Sequence, residues 1–183
     1  MMNEQQMQHG ADWMGEDLSG FVLTEKFDGC RAFWDGHRLW SRGGLSPQLP
    51  EHWLQALPAM ALDCELYDGP GGVYRCGTAL RRGRFLPSMR LVVFDAPGQP
   101  GNYAQRMAAV AQALQGVPFA SAAPFTTCQG TDHALAFMRE IQARGGEGAM
   151  ARHPALHYHP GRTTHLLKVK HDARSHHHQA PAL

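Results

Sequence analysis

Residues 24–36 read TEKFDGCRAFWDG, and the stretch turns on its single lysine. The chain has 17 Lys and Arg residues, and only three of them, Lys26, Lys168 and Lys170, are lysine. A surface cation can be of either type, and elsewhere this sequence takes arginine. Only lysine sheds its proton near neutral pH and attacks an electrophile, because a guanidinium stays charged. A nearby cation such as Arg31, with partial desolvation, would lower the pKa of Lys26 from about 10.4, which is how nucleophilic lysines are activated. Taken alone, K-x-D-G beside a turn also fits a plain surface cation.

Outward from Lys26, residues 31–41, RAFWDGHRLWS, place Asp35-Gly36 between two runs that carry Phe33, Trp34, Leu39 and Trp40. That pattern predicts a hairpin with a two-residue turn just after the lysine. Further strands are expected at 61–67 (ALDCELY), 90–95 (RLVVFD), 147–152 (EGAMAR) and 165–170 (HLLKVK), from their β-branched and apolar content and the Gly-Pro breaks after the first two. Lys168 and Lys170 alternate along the last and point to one face, although lysines at a strand edge are ordinary. Two helices are expected. Residues 103–114 set Tyr103, Met107, Val110 and Leu114 on one stripe, and residues 131–145 run from a Thr131 cap to Gly145. Hairpins first, helices later and no strand–helix–strand repeat give an α+β fold with mainly antiparallel sheets flanked by helices.

At 183 residues and 43% hydrophobic content the chain suits one compact domain, residues 1–170, followed by a loose tail, 171–183, that lacks an apolar face. A net charge of +1 gives no overall field toward nucleic acid, so any such contact needs local patches. No apolar stretch has the length of a signal peptide or a membrane span, so the cytoplasm and no membrane partner are expected. The 4 cysteines form no C-x-x-C pair and read as free thiols.

KFDGCR (26–31) matches every fixed position of K-x-D-G-x-R, the signature of the covalent nucleotidyltransferases: ATP-dependent DNA ligases, RNA ligases and mRNA-capping enzymes. SRGG (41–44), LDCELY (62–67), VVFDAP (92–97), GGEGAMAR (145–152) and LLKVK (166–170) follow in the family's order. Together they lie in order over residues 24–170, nearly the whole chain, and it resembles the adenylation domain of small bacterial and viral ATP-dependent DNA ligases.

The resemblance implies an adenylation fold and a set of roles. Lys26 would attack the α-phosphorus of ATP and hold AMP as a phosphoramidate, a covalent route that splits one hard transfer into two. Lys168 and Lys170 would meet the charge that builds on the phosphate oxygens. Arg31 and Glu65 would bond the ribose hydroxyls, Thr24 the adenine edge, and Phe94 would stack on the base, against the plainer reading of a core phenylalanine. Glu147, between glycines that permit close approach of a ligand, would bind magnesium, with manganese as the alternative. Asp28 would position Lys26 or the metal, or cap the turn. Arg42 would contact the nicked strand near its 5′ phosphate, and Arg81, Arg82 and Arg84 offer a further phosphate-binding patch, or only a solvated loop.

The partner so implied is nicked double-stranded DNA, bound by a monomer. Family members normally continue into an oligonucleotide-binding barrel, which the 13 residues after Lys170 cannot form. With 25 residues before Lys26 there is little room for a nicotinamide-binding region, so ATP rather than NAD is expected. An RNA ligase or capping-type enzyme, or a non-catalytic nucleotide- or DNA-binding remnant, are the alternatives. His157, His159 and the run 176–178 read as incidental.

Overall fold

The computed structural model describes residues 7–174, and their strands sort into two five-stranded sheets. In chain order the elements are β1 (Gln8–Asp12), β2 (Val22–Lys26), β3 (Cys30–Trp34), β4 (Leu39–Ser41), α1 (Glu51–Ala56), β5 (Leu62–Tyr67), α2 (Val73–Arg82), β6 (Arg90–Asp95), α3 (Tyr103–Ala113), β7 (Ala120–Ala122), β8 (Phe125–Thr127), α4 (Thr131–Ala143), β9 (Gly148–Arg152) and β10 (Gly161–Val169). The described residues fall into two compact units, a first of 7–9, 27–123 and 155–161 and a second of 10–26, 124–154 and 162–174. The chain passes from the second to the first between Lys26 and Phe27.

In the first unit the sheet order is β4-β3-β5-β6-β7, antiparallel except for the parallel β6–β7 pair. Alternation along β5 and β6 buries Leu62, Cys64, Leu66, Leu91 and Val93 completely. The stripe of Tyr103, Met107, Val110 and Leu114 is buried as the helical spacing requires, with α3 packed on β6 and β7. An Asn102–Gln105 capping box starts that helix. Each such large apolar side chain contributes roughly 1.5–3 kcal/mol when removed from water.

In the second unit the order is β1-β10-β9-β2-β8. Helix α4 lies on β9 and β2 and buries Ala134, Leu135, Met138 and Ile141 among Leu23, Ala149, Ala151, Leu167 and Val169. Thr131 does not cap it. The N-cap is Gly130, with no side-chain hydrogen bond.

The hairpin after Lys26 forms one residue later than its sequence suggests. Asp35 N–H donates to the Arg38 carbonyl at 3.1 Å, so Gly36 and His37 make the turn, with Gly36 at φ +97° where a side chain would be strained. The Asp35 carboxylate accepts from the backbone N–H of both His37 and Arg38, which explains why aspartate precedes the turn instead of entering it. Helices α1 and α2 are additions to the expected elements. In α2, Cys76, Ala79 and Leu80 form a short buried stripe that the preceding Gly-Pro run obscures. Of the expected tail, Ala173 is buried and Arg174 pairs with Asp132 and Asp172. Residues 175–183 and the histidines 176–178 lie outside the described residues. All four cysteines are free thiols.

The first unit also buries a charge pair. Arg106, 1% exposed, donates from Nε to Asp95 Oδ1 at 2.8 Å and from Nη2 to Oδ2 at 3.2 Å, and its Nη1 reaches the Gly101 and Leu156 carbonyls. Removing one partner strands the other charge away from water. Asp95→Ala should therefore destabilise the fold by about 3–5 kcal/mol, read as a drop in the urea-unfolding midpoint at unchanged slope.

Candidate active site

Three strand ends in the second unit bring the lysines to one carboxylate. Strand β9 lies between β2 and β10. Lys26 pairs in register with Gly148, and Val169 with Ala149. Lys26 therefore ends one flanking strand, Lys170 just follows the other, and Glu147 sits at the start of the middle one. Lys26 Nζ donates to Glu147 Oε2, and Lys170 Nζ lies 2.5 Å from Oε1. Burial works against ionisation of Glu147, but hydrogen bonds from Lys170 and Lys26 and their charges hold its carboxyl below the ordinary value.

The backbone around Glu147 is pinned from two sides. Gln142, on the last turn of α4, donates its side-chain amide to the Glu147 carbonyl at 3.2 Å and to the Lys170 carbonyl at 2.9 Å. Gln142 is a positioning residue that the motif pattern does not single out. The flanking glycines lie close against other parts of the protein. A Cβ on Gly148, at φ +155°, would lie 2.6 Å from the Val169 carbonyl oxygen, and one on Gly146 would lie 2.4 Å from the Ile141 Cγ2. Their smallness lets Gly146 pack against α4 and Gly148 against β10.

Lys168 does not join this cluster. Its Nζ lies 3.8 Å from Asp12, on the neighbouring β1. Facing one side of a strand does not give two lysines one partner when the neighbouring strands differ. Lys26 touches a carboxylate, and the second cation on that carboxylate is Lys170. Thr24 is buried on β2, two residues before the lysine.

The first unit gathers the other family-implied residues on β3, β5 and β6. Arg31 faces Glu65 in register and grips Asp63 with two bonds of 2.6 Å, from Nε to Oδ1 and from Nη2 to Oδ2. Burial opposes its charge, but Asp63 holds the guanidinium protonated more firmly than usual. The Arg31 guanidinium carbon stands 4.6 Å from the centre of the Phe94 ring, so that ring is not open on both faces. Phe94 is the extra residue of a bulge, since Asp63 pairs with Asp95 and Cys64 with Val93. Asp63 escapes a reading centred on Glu65, although the alternation of LDCELY sets both on one face.

Arg42 is exposed in the turn after β4. Arg81 and Arg82 end α2, Gly83 closes it in the left-handed conformation at φ +67°, and Arg84 follows. They line an open groove of about 710 Å³ with Gln48 and Phe85. Asp28 is half-buried in the turn between β2 and β3.

Among the described residues no three His, Cys, Asp or Glu side chains group as a metal cage. A lone carboxylate such as Glu147 still suits magnesium, which is commonly held by one or two carboxylates completed by substrate phosphates and water.

Because its folded-state pKa lies below the ordinary 4.5, the ionised Glu147 contributes stability that is complete above pH 4.5 and fades as pH falls through the lowered value. Glu147→Gln should lower the urea midpoint at pH 7, and its deficit relative to wild type should shrink in acid.

No family model matches the chain. It is similar to a DNA ligase of Haemophilus influenzae, 27% identical over 159 residues, which are 85% of this chain and 59% of that protein. The chain thus spans a little over half the length of that curated relative. Among solved structures it is similar to Lig E DNA ligase, described as binding DNA with a minimal scaffold, with TM-score 0.80 and 25% identity over 90% of this chain and 68% of that one. It is also similar to the Chlorella virus DNA ligase–adenylate, with TM-score 0.76 and 18% identity over 91% and 67% of the two chains. The second likeness speaks for the fold alone. In fold and in the order of its motifs the chain is similar to DNA ligases.

Proposed function

We propose that this domain forms a lysyl-AMP on Lys26 from ATP and passes the AMP to the 5′ phosphate of nicked double-stranded DNA. The observation that carries the proposal is the grip of Lys26 and Lys170 on Glu147 at three adjacent strand ends. Two ammonium groups on one carboxylate leave a local surplus of positive charge, which favours phosphate oxygens. In a chain that prefers arginine, lysine at these positions supports a role that needs an amine able to lose its proton.

An ammonium has no lone pair, so Lys26 must first give its proton to solvent. Lys170 follows the α-phosphate, and Lys168 adds a second cation once it leaves Asp12. The Lys26 nitrogen then bonds to the α-phosphorus as the bond to the pyrophosphate oxygen breaks, and pyrophosphate leaves with the electron pair. Magnesium at Glu147, with Asp28 as a second candidate ligand, would supply neutralisation of phosphate charge. Arg31 and Glu65 orient the ribose through its hydroxyls, Thr24 meets the adenine edge, and Phe94 stacks on adenine.

On the DNA side, Arg42 contacts the 5′-phosphate strand, and the groove of Arg81, Arg82 and Arg84 takes backbone phosphates. Such contacts fix register without reading sequence. The protein acts in this reading as a cytoplasmic monomer.

Incubation with ATP and magnesium should add the mass of one AMP to the intact protein. Lys26→Arg should abolish that gain while leaving the melting temperature unchanged, and an arginine variant that still gains AMP would overturn the nucleophile assignment. The triple variant Arg81→Ala/Arg82→Ala/Arg84→Ala should weaken nicked-duplex binding equally across sequences. The slope of log affinity against log salt should become shallower by about one for each phosphate that the arginines no longer neutralise. An unchanged slope would remove the groove from the DNA-binding surface.

A further inference from the structure

We infer that Tyr158 is a positioning residue for ribose recognition, acting through Asp63 and Arg31; the inference rests on the ribose role proposed for Arg31. Tyr158 lies in the connection from β9 to β10, outside the family motifs, and its hydroxyl joins a closed ring of hydrogen bonds in the first unit. The hydroxyl donates to Asp63 Oδ2 at 2.6 Å and accepts from the Gln8 N–H at 2.9 Å. Asp63 Oδ2 also accepts from Arg31 Nη2, and the same nitrogen donates to the Gln8 carbonyl at 2.9 Å. The circuit therefore runs Arg31, Asp63, Tyr158, Gln8 and back to Arg31.

Each link removes a freedom from the guanidinium. The Asp63 fork sets its plane, the Phe94 ring lies against its face, and the Gln8 carbonyl fixes Nη2. Nη1 is left without a hydrogen bond among the described residues, so it is the donor available to a ligand. Asp63 is fully buried, and held by Arg31 alone the carboxylate and the guanidinium could turn together as one fork. Tyr158 ties Oδ2 to an anchor outside the fork. Burial and the neighbouring Asp63 push the phenol well above its ordinary pKa, so it stays a donor at working pH. Without the hydroxyl the fork survives but swings, because its tie to the Gln8 N–H is gone.

The readout that separates positioning from plain structure is a ratio. AMP attachment is measured with ATP and with 2′-deoxy- and 3′-deoxy-ATP on wild type, Arg31→Gln and Tyr158→Phe. Wild type should prefer ATP, Arg31→Gln should lose most of that preference, and Tyr158→Phe should reduce it by about fivefold. A merely structural tyrosine would slow all three nucleotides equally, and a loss of folded protein divides out of the ratio. Should Tyr158→Phe not fold, Asp63→Asn tests the same anchor and should reduce the same ratio. An unchanged ratio in Tyr158→Phe, with a changed one in Arg31→Gln, overturns the inference and leaves the role of Arg31 standing. Unchanged ratios in both overturn the ribose role of Arg31 and this inference with it.

Discussion

The carboxylate of Glu147 is the point on which the site depends. Two ammonium groups at neighbouring strand ends would repel each other, and one negative charge between them turns that repulsion into a joint. The joint requires β9 between β2 and β10, because only the middle strand can present one side chain to both neighbours. It also requires the register. A slip of one residue would turn every side chain of a strand to the opposite face, and the apolar contacts of Leu23, Ala149, Ala151, Leu167 and Val169 with α4 resist such a slip. The core of the second unit thus fixes the electrostatics at its edge.

Much of this was legible in the residues, and the illegible part has a common cause. Lys26, Glu147 and Lys170 stand out by residue type and neighbours, and the long periodic runs of α3 and α4 announce themselves. Partners do not. Whether Lys168 or Lys170 meets Glu147 depends on the register of β10 against β9, and no local pattern carries that information. The same holds for Asp63 and Tyr158, 95 residues apart in the chain and joined by one hydrogen bond. Strands of three residues such as β7 and β8 are too short to show alternation. The bulge that sets Phe94 outside the regular pairing leaves no trace in VVFDAP.

Each unit handles charge in its own way. In the second, the charged groups sit at strand ends with partial exposure, Lys26 at 22% and Lys170 at 41%, where they can exchange one partner for another. In the first, Asp63 and Asp95 are fully buried and gripped by arginines through two nitrogens each. A buried bidentate pair is costly to break and holds a fixed geometry. Partly exposed lysine pairs are weak by comparison, and weakness suits the exchange of partners that the proposed reaction requires.

That contrast answers the question posed by the lone lysine in TEKFDGCRAFWDG. Arginine is used where a charge must stay put and present two parallel donors, as Arg31 does to Asp63 and Arg106 to Asp95. A lysine at those positions would offer a point charge and lose the fork. The reverse exchange fails for a different reason: arginine at position 26 would keep the charge and the bond to Glu147, yet it could not become a neutral nucleophile. The two cations are therefore not interchangeable in either direction. Under the proposed reaction, the ammonium group stands where a proton must leave or a partner must change.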